Sequence, residues 1–142
     1  MKGYMIYKSN VNMKNLLTLL LLFFSVQVFS QQWIDDSNFD DKIYKNEQCI
    51  DCIVVVEFWV DFNKENAFKE WNQLKGVKYF RVDIEKAPNA KKEYRVRMAP
   101  TIIIFKDGIK EDMFKADLSL ECPTDLDELQ ETIEEIKNAS KF

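Results

Sequence analysis

From residue 37 onward the chain alternates short apolar runs with polar breaks, and the period of each run predicts an element. Ile53, Val54, Val55 and Val56 open a run that reaches about Val60 and is apolar on both parities. That is the pattern of a central strand covered on both faces. Val77 to Ile84 alternates imperfectly and suits a second inner strand, and Thr101 to Lys106 is a third, β-branched one. Asp107-Gly108 is a two-residue hairpin signal, so Lys110 to Ala116 should return as an edge strand. Helical spacing appears between these runs. Phe39 and Ile43 lie one turn apart in a segment that Ser37 can cap and that runs to about Tyr44. Ala67, Phe68, Trp71 and Leu74 form a stripe that predicts a helix from Lys64 to Leu74, stopped by Gly76. A short helix is expected over Asn89–Arg95, entered through Pro88. Leu126, Leu129, Ile133 and Ile136 mark a final amphipathic helix, opened by a capping box of Thr124 and Asp127. Trp33–Asp36 reads as a lead-in and Lys45–Asp51 as a polar turn. The order predicts an α/β sheet whose last hairpin is antiparallel.

Residues 1–30 have a different character. They carry Lys2, Lys8 and Lys14 and no acid, and Leu16 to Phe29 is almost unbroken apolar sequence. At about fourteen residues that run is short for a bilayer span and fits the core of a signal peptide. Cleavage is expected after Ser30, leaving Gln31 first, and Met13-Lys14-Asn15 offers an alternative start. The expected organisation is a signal peptide over 1–30 and one domain over 31–142. Membrane contact is then confined to the segment before cleavage, and the product is periplasmic or secreted.

Composition narrows the chemistry. The net charge of −4, made more acidic by three when the leader is removed, argues against a nucleic-acid partner. There is no histidine, which removes Ser-His-Asp and Cys-His catalysis. Three cysteines without histidine or a second pair make no zinc set, and neither a metal nor a cofactor is expected. Export permits disulfides among Cys49, Cys52 and Cys122, with one sulfur left over.

The run Ile53-Val-Val-Val-Glu-Phe-Trp-Val-Asp-Phe-Asn-Lys-Glu-Asn66 resembles the core of the thioredoxin family. There a strand ending in Phe-Trp-Ala leads into Trp-Cys-Gly-Pro-Cys. The resemblance extends over about residues 36–138. Glu57 stands six residues before Asn63, where the family places a buried Asp six before its first active-site Cys. Arg81 to Pro88 is similar to the strand and turn that hold a Lys facing that Asp. Tyr94 to Thr101 is similar to Tyr-x-Val-x-x-x-Pro-Thr, and Ile102 to Gly108 to the strand and turn that follow. The resemblance implies a thioredoxin-like mixed sheet flanked by helices, with a C-terminal antiparallel hairpin and helix. It also implies a cis peptide before Pro100 and a buried Glu57–Arg81 ion pair.

The departures bear on activity. Both active-site Cys positions are Asn, at 63 and 66, and the Gly-Pro between them is Lys64-Glu65. Disulfide exchange needs a thiolate, which Asn cannot supply. Asn63 can instead cap the following helix, or meet a bound peptide with Asn66. Residues 117–123 are longer than the family's usual turn, and Ala116 stands where a glycine is expected. Cys49 and Cys52 form a genuine two-residue-spaced pair, but they precede the central strand, at the end opposite the proline loop. They read as a local disulfide or two half-buried thiols, or as displaced redox thiols. Cys122 should lie near the face that carries Asn63, as a reactive odd thiol or as a small hydrophobe.

The expected function is an exported, redox-inactive binding or chaperone-like module. It would take an extended peptide or protein client at Phe62, Asn63, Asn66, Met98, Ala99 and Pro100. The alternative is a thiol–disulfide oxidoreductase using Cys49 and Cys52, relayed through Cys122.

Overall fold

The computed structural model describes residues 32–44 and 52–139. The expected signal segment, the Lys45–Asp51 turn and Cys49 lie outside the described residues. The chain divides into two units, Met1–Ser30 and Gln31–Phe142. No helix among the described residues is long and apolar enough to cross a membrane.

Five strands form one mixed sheet: β1 (Gln32–Ile34), β2 (Ile53–Trp59), β3 (Val77–Asp83), β4 (Thr101–Lys106) and β5 (Ile109–Lys115), in the order β1-β3-β2-β4-β5. β3 runs parallel to both β1 and β2, while β4 is antiparallel to β2 and β5. The continuous apolar run of β2 puts it at the centre, buried along its length except for the half-buried Trp59. Strand alternation then splits the core in two. Val54, Val56 and Phe58 face a layer with α1 (Phe39–Tyr44) and α2 (Pro88–Glu93). Ile53 and Val55 face Phe68, Trp71 and α3 (Leu126–Ala139), where Leu129 and Ile133 are fully buried. Glu57 shares the parity of Ile53 and Val55, so a carboxylate points into this second layer.

Several local expectations need correction. The expected helix over Lys64–Leu74 is absent. Two 3-10 turns, Asp61–Asn66 and Trp71–Gln73, flank an extended Ala67 with ψ 150°. The stripe is nevertheless buried, at Ala67, Phe68, Trp71 and Leu74. The reason is that the Phe68 backbone is committed elsewhere: its N–H donates to Glu57 Oε2 at 2.7 Å, and its carbonyl accepts from Arg81 at 3.2 Å. An α-helix needs those groups for its own ladder. The Ser37 cap also fails. Ser37 donates through its N–H and hydroxyl to Asp35 Oδ1, Asn38 Oδ1 accepts the Asp35 N–H, and the helix begins at Phe39. The box on the last helix sits one residue later than expected. Asp125 accepts the Glu128 N–H at 2.9 Å, and the Thr124 hydroxyl donates to the Glu128 carboxylate at 2.8 Å. The helix expected to reach Arg95 ends at Glu93, because Arg95 is left-handed at φ 54°. The lead-in contains a short edge strand, β1.

The hairpin turn follows its signal. Asp107 and Gly108 have φ 49° and 78°, the positive pair that a type I′ turn requires. A Cβ on Gly108 would lie 2.1 Å from the Tyr44 ring. Gly108→Ala therefore meets both backbone strain and a clash. The expected loss is roughly 1–3 kcal/mol, to be read from the midpoint of urea unfolding.

Candidate functional site

The site is assembled where β2 ends. The chain passes Val60 into the Asp61–Asn66 turn, whose helical geometry breaks at Asn63 with φ −115° and ψ 22°. The break turns the Asn63 side chain inward. Its Nδ2 donates to the Ala99 carbonyl at 2.9 Å and to the Leu120 carbonyl at 2.8 Å, and its Oδ1 accepts from Asn66 Nδ2 at 2.9 Å. One amide thus ties together three loops far apart in sequence. Only nitrogen can donate to two carbonyls, which fixes the orientation of the amide. The expectation that Asn63 caps the following helix is overturned: no α-helix follows it over Lys64–Leu74, and its Oδ1 accepts from the Asn66 side chain.

The Ala99–Pro100 peptide is cis. Around it the Thr101 hydroxyl donates to Met98 O at 2.6 Å and the Ala116 N–H donates to Pro100 O at 3.2 Å. The backbone edge expected at Ala99 is only partly available. Ala99 is buried and its carbonyl already accepts from Asn63, while its N–H has no partner among the described residues. Phe62, next to Asn63, is 79% exposed, and Met98 is half-buried. Asn63, Asn66, Met98, Ala99 and Pro100 therefore meet in one place, with Phe62 standing beside them on the surface.

Behind this cluster lies the ion pair. Glu57 is 0% exposed and accepts from Arg81 Nε and from the Phe68 N–H. Burial pushes its carboxyl above the ordinary glutamate range, against the opposing pull of Arg81 and of the Phe68 N–H. The Arg81 guanidinium also lies over Trp33 and Trp59, at 5.6 and 5.9 Å from their ring centroids.

The two described cysteines, Cys52 and Cys122, do not form one site. Cys52 is disulfide-bonded and buried where β2 begins, its carbonyl accepting the Asp107 N–H of the hairpin turn. Asn63 lies beyond the other end of that strand, about 20 Å away at the usual rise. Cys122 is free and half-buried. It shares a cleft of about 260 Å³ with Asn66 and Phe68, on the Asn63 side of the sheet. Its Sγ donates to Thr124 O at 3.3 Å, and burial pushes its thiol pKa up. Such a thiol is a poor nucleophile at neutral pH. Native Cys122 should react with iodoacetamide about tenfold more slowly than in the urea-unfolded chain at the same pH, as mass-tag counting over time will show. Among the described residues no cluster of His, Cys, Asp or Glu side chains could hold a metal ion.

Sequence reasoning missed Leu120, whose carbonyl completes the Asn63 link. It is a non-glycine residue at φ 57°, and the Asp117–Ser119 turn preceding it is held by its own hydrogen bonds. Leucine carries no signal for a left-handed position, which glycine or asparagine would have given.

The architecture and the cis proline point to one family, and a family model decides it: the thioredoxin model matches residues 30–135. The chain belongs to the thioredoxin family. A thioredoxin of Rickettsia felis is 32% identical over 89 residues, covering 56% of this chain and 78% of that protein. A shorter match, 41% identical over 44 residues, is to thioredoxin-2 of Pyricularia oryzae, and it spans 30% of this chain and only 26% of that one. Among solved structures, thioredoxin f2 of Chlamydomonas reinhardtii superposes with a TM-score of 0.56 at 18% identity, over 75% of this chain and 95% of that one. That likeness concerns the fold alone.

Proposed function

We propose that this protein is an exported thioredoxin-family module that binds an extended peptide or protein segment and carries out no dithiol chemistry at the family's usual position. One observation carries the reading: beside the cis Ala99–Pro100 bond, the Ala99 N–H has no partner among the described residues, while Asn63 and Asn66 hold the surrounding loops through hydrogen bonds. A backbone donor on a buried residue calls for an acceptor, and the carbonyl of a client segment supplies one. Exposed Phe62 and half-buried Met98 give that segment apolar contact. Pairing of this kind is the main-chain mode of peptide recognition. Amide chemical-shift mapping with extended peptides tests it. Shifts at Phe62, Asn63, Met98 and Ala99 support the reading, and shifts elsewhere or none overturn it.

The alternative, an oxidoreductase using Cys49 and Cys52, has one observation in its favour: Cys52 is disulfide-bonded. A redox titration of the full chain with mass-tagged alkylation separates the two. A bridge that stays closed below about −300 mV is structural, and one that opens between about −120 and −270 mV supports the oxidoreductase.

A further inference from the structure

Beside the proline loop a cleft of about 380 Å³ runs between the Arg95–Met98 segment and the C-terminal half of β5. Its lining includes Arg95, Arg97 and Lys115 and no carboxylate. All three cations are exposed, and their side chains form no ion pair or hydrogen bond among the described residues. In a chain of net charge −4 this is a local reversal of sign. Half-buried Met98 and Met113 give the cleft an apolar lining, and methionine adapts to irregular partners. The cleft is continuous with the site above, because Lys115 pairs in register with Thr101 and the Ala116 N–H bonds to Pro100 O.

We propose that this cleft binds an acidic, extended segment of a partner protein, with carboxylates against Arg95, Arg97 and Lys115 and an apolar side chain between Met98 and Met113. The proposal rests on the peptide-binding reading and names the chemistry of the client. Charge complementarity selects the occupant: three exposed cations with no ion-pair partner among the described residues attract carboxylates. A nucleic acid carries its charge well beyond a cleft of this length and would lie against the acidic remainder of the chain, which a short acidic segment avoids. The edge of β5 also limits how the segment lies. Strand alternation counted from Ala116 turns the Met113 N–H away from β4, and Asp112 Oδ1 already accepts it at 2.7 Å. That plug blocks strand addition at Met113, and Glu111 and Asp112 repel an acidic chain from the first half of β5. Over the Met113–Ala116 end the client is therefore held by its side chains, its main-chain bond being the one to the Ala99 N–H.

The test is fluorescence anisotropy on the full chain with a labelled heptapeptide alternating Asp and Leu, its Asn-for-Asp isostere and its Lys-for-Asp counterpart. The acidic peptide should bind at least about fivefold more tightly than the isostere at low salt, and high salt should erase the difference. Arg97→Glu and Lys115→Glu should each weaken it by about threefold or more, with unchanged unfolding midpoints. Lys75→Glu, on the turn that meets α3, should leave it unaltered. Equal binding of the acidic peptide and its isostere, with Arg97→Glu and Lys115→Glu silent, overturns the acidic preference and leaves the peptide-binding reading standing. No binding by any of the three overturns both. Acidic binding that ignores Arg97→Glu and Lys115→Glu places the site elsewhere. Sedimentation tests a second copy as occupant: self-association abolished by Arg97→Glu assigns the cleft to the acidic face of another copy's α3 and overturns the proposal.

Discussion

Replacing Arg81 by leucine is expected to destabilise the domain by about 3–5 kcal/mol, more than any other single change argued here. The cost arises from what is left behind. Glu57 is fully buried, and without Arg81 its charge keeps only the Phe68 N–H as a partner among the described residues. The Phe68 carbonyl also loses its donor, and the guanidinium is lost from Trp33 and Trp59. Adding Glu57→Gln should recover part of the loss, because no charge is then buried, but not all, because the Phe68 carbonyl is still unpaired. The pH dependence has a definite sign. Burial already raises the folded-state pKa of Glu57 above its unfolded value, and removing Arg81 raises it further. Stability from the protonated carboxyl is fully present below the unfolded pKa and is lost as pH rises through the folded one. The gap between Arg81→Leu and the parent should therefore shrink as the solution is acidified, in urea unfolding followed from neutral pH downward. A gap that is constant with pH would show that Glu57 is not the group left stranded.

This pair also explains where the fold was legible in the sequence and where it was not. The strands were legible because β2 and β4 are covered on both faces, and burial on both faces leaves an unbroken β-branched run. Asp107-Gly108 was legible because its left-handed geometry restricts the residue types. Residues 64–74 were misread for a reason that a local window cannot contain. The spacing of Ala67, Phe68, Trp71 and Leu74 reported burial correctly. The helix was prevented by partners of Phe68 that lie 11 and 13 residues away along the chain. At the site, the meeting of Asn63 with Ala99 follows from the family resemblance. Its second bond crosses 57 residues to a leucine whose conformation its sequence does not announce. β1 escaped because a strand of three residues has too little alternation to read.

The second large effect is expected at Asn63. Asn63→Ala removes the donor from two carbonyls and the acceptor from Asn66, and should cost about 2 kcal/mol. The isosteric Asn63→Asp should cost at least as much at neutral pH. A carboxylate cannot donate, so it would face the Ala99 and Leu120 carbonyls with like polarity. Protonation restores one O–H donor, so the loss at Asn63→Asp should ease in acid while that at Asn63→Ala should not. The two variants together separate hydrogen bonding from side-chain volume, which Asp preserves and Ala does not. Hydrogen exchange gives the local reading. If the amide is what holds the three loops, the backbone amides of Leu120 and Asn63, whose N–H groups bond to Asp117 O and Val60 O, should exchange faster in both variants. Those of β2 should change only by the loss in global stability. Peptide binding should fall as well, because the Ala99 N–H presents a usable direction only while its peptide is held from the carbonyl side. Binding that survives Asn63→Ala undiminished would mean that the client meets the exposed surface of Phe62 and the cationic cleft without the proline loop.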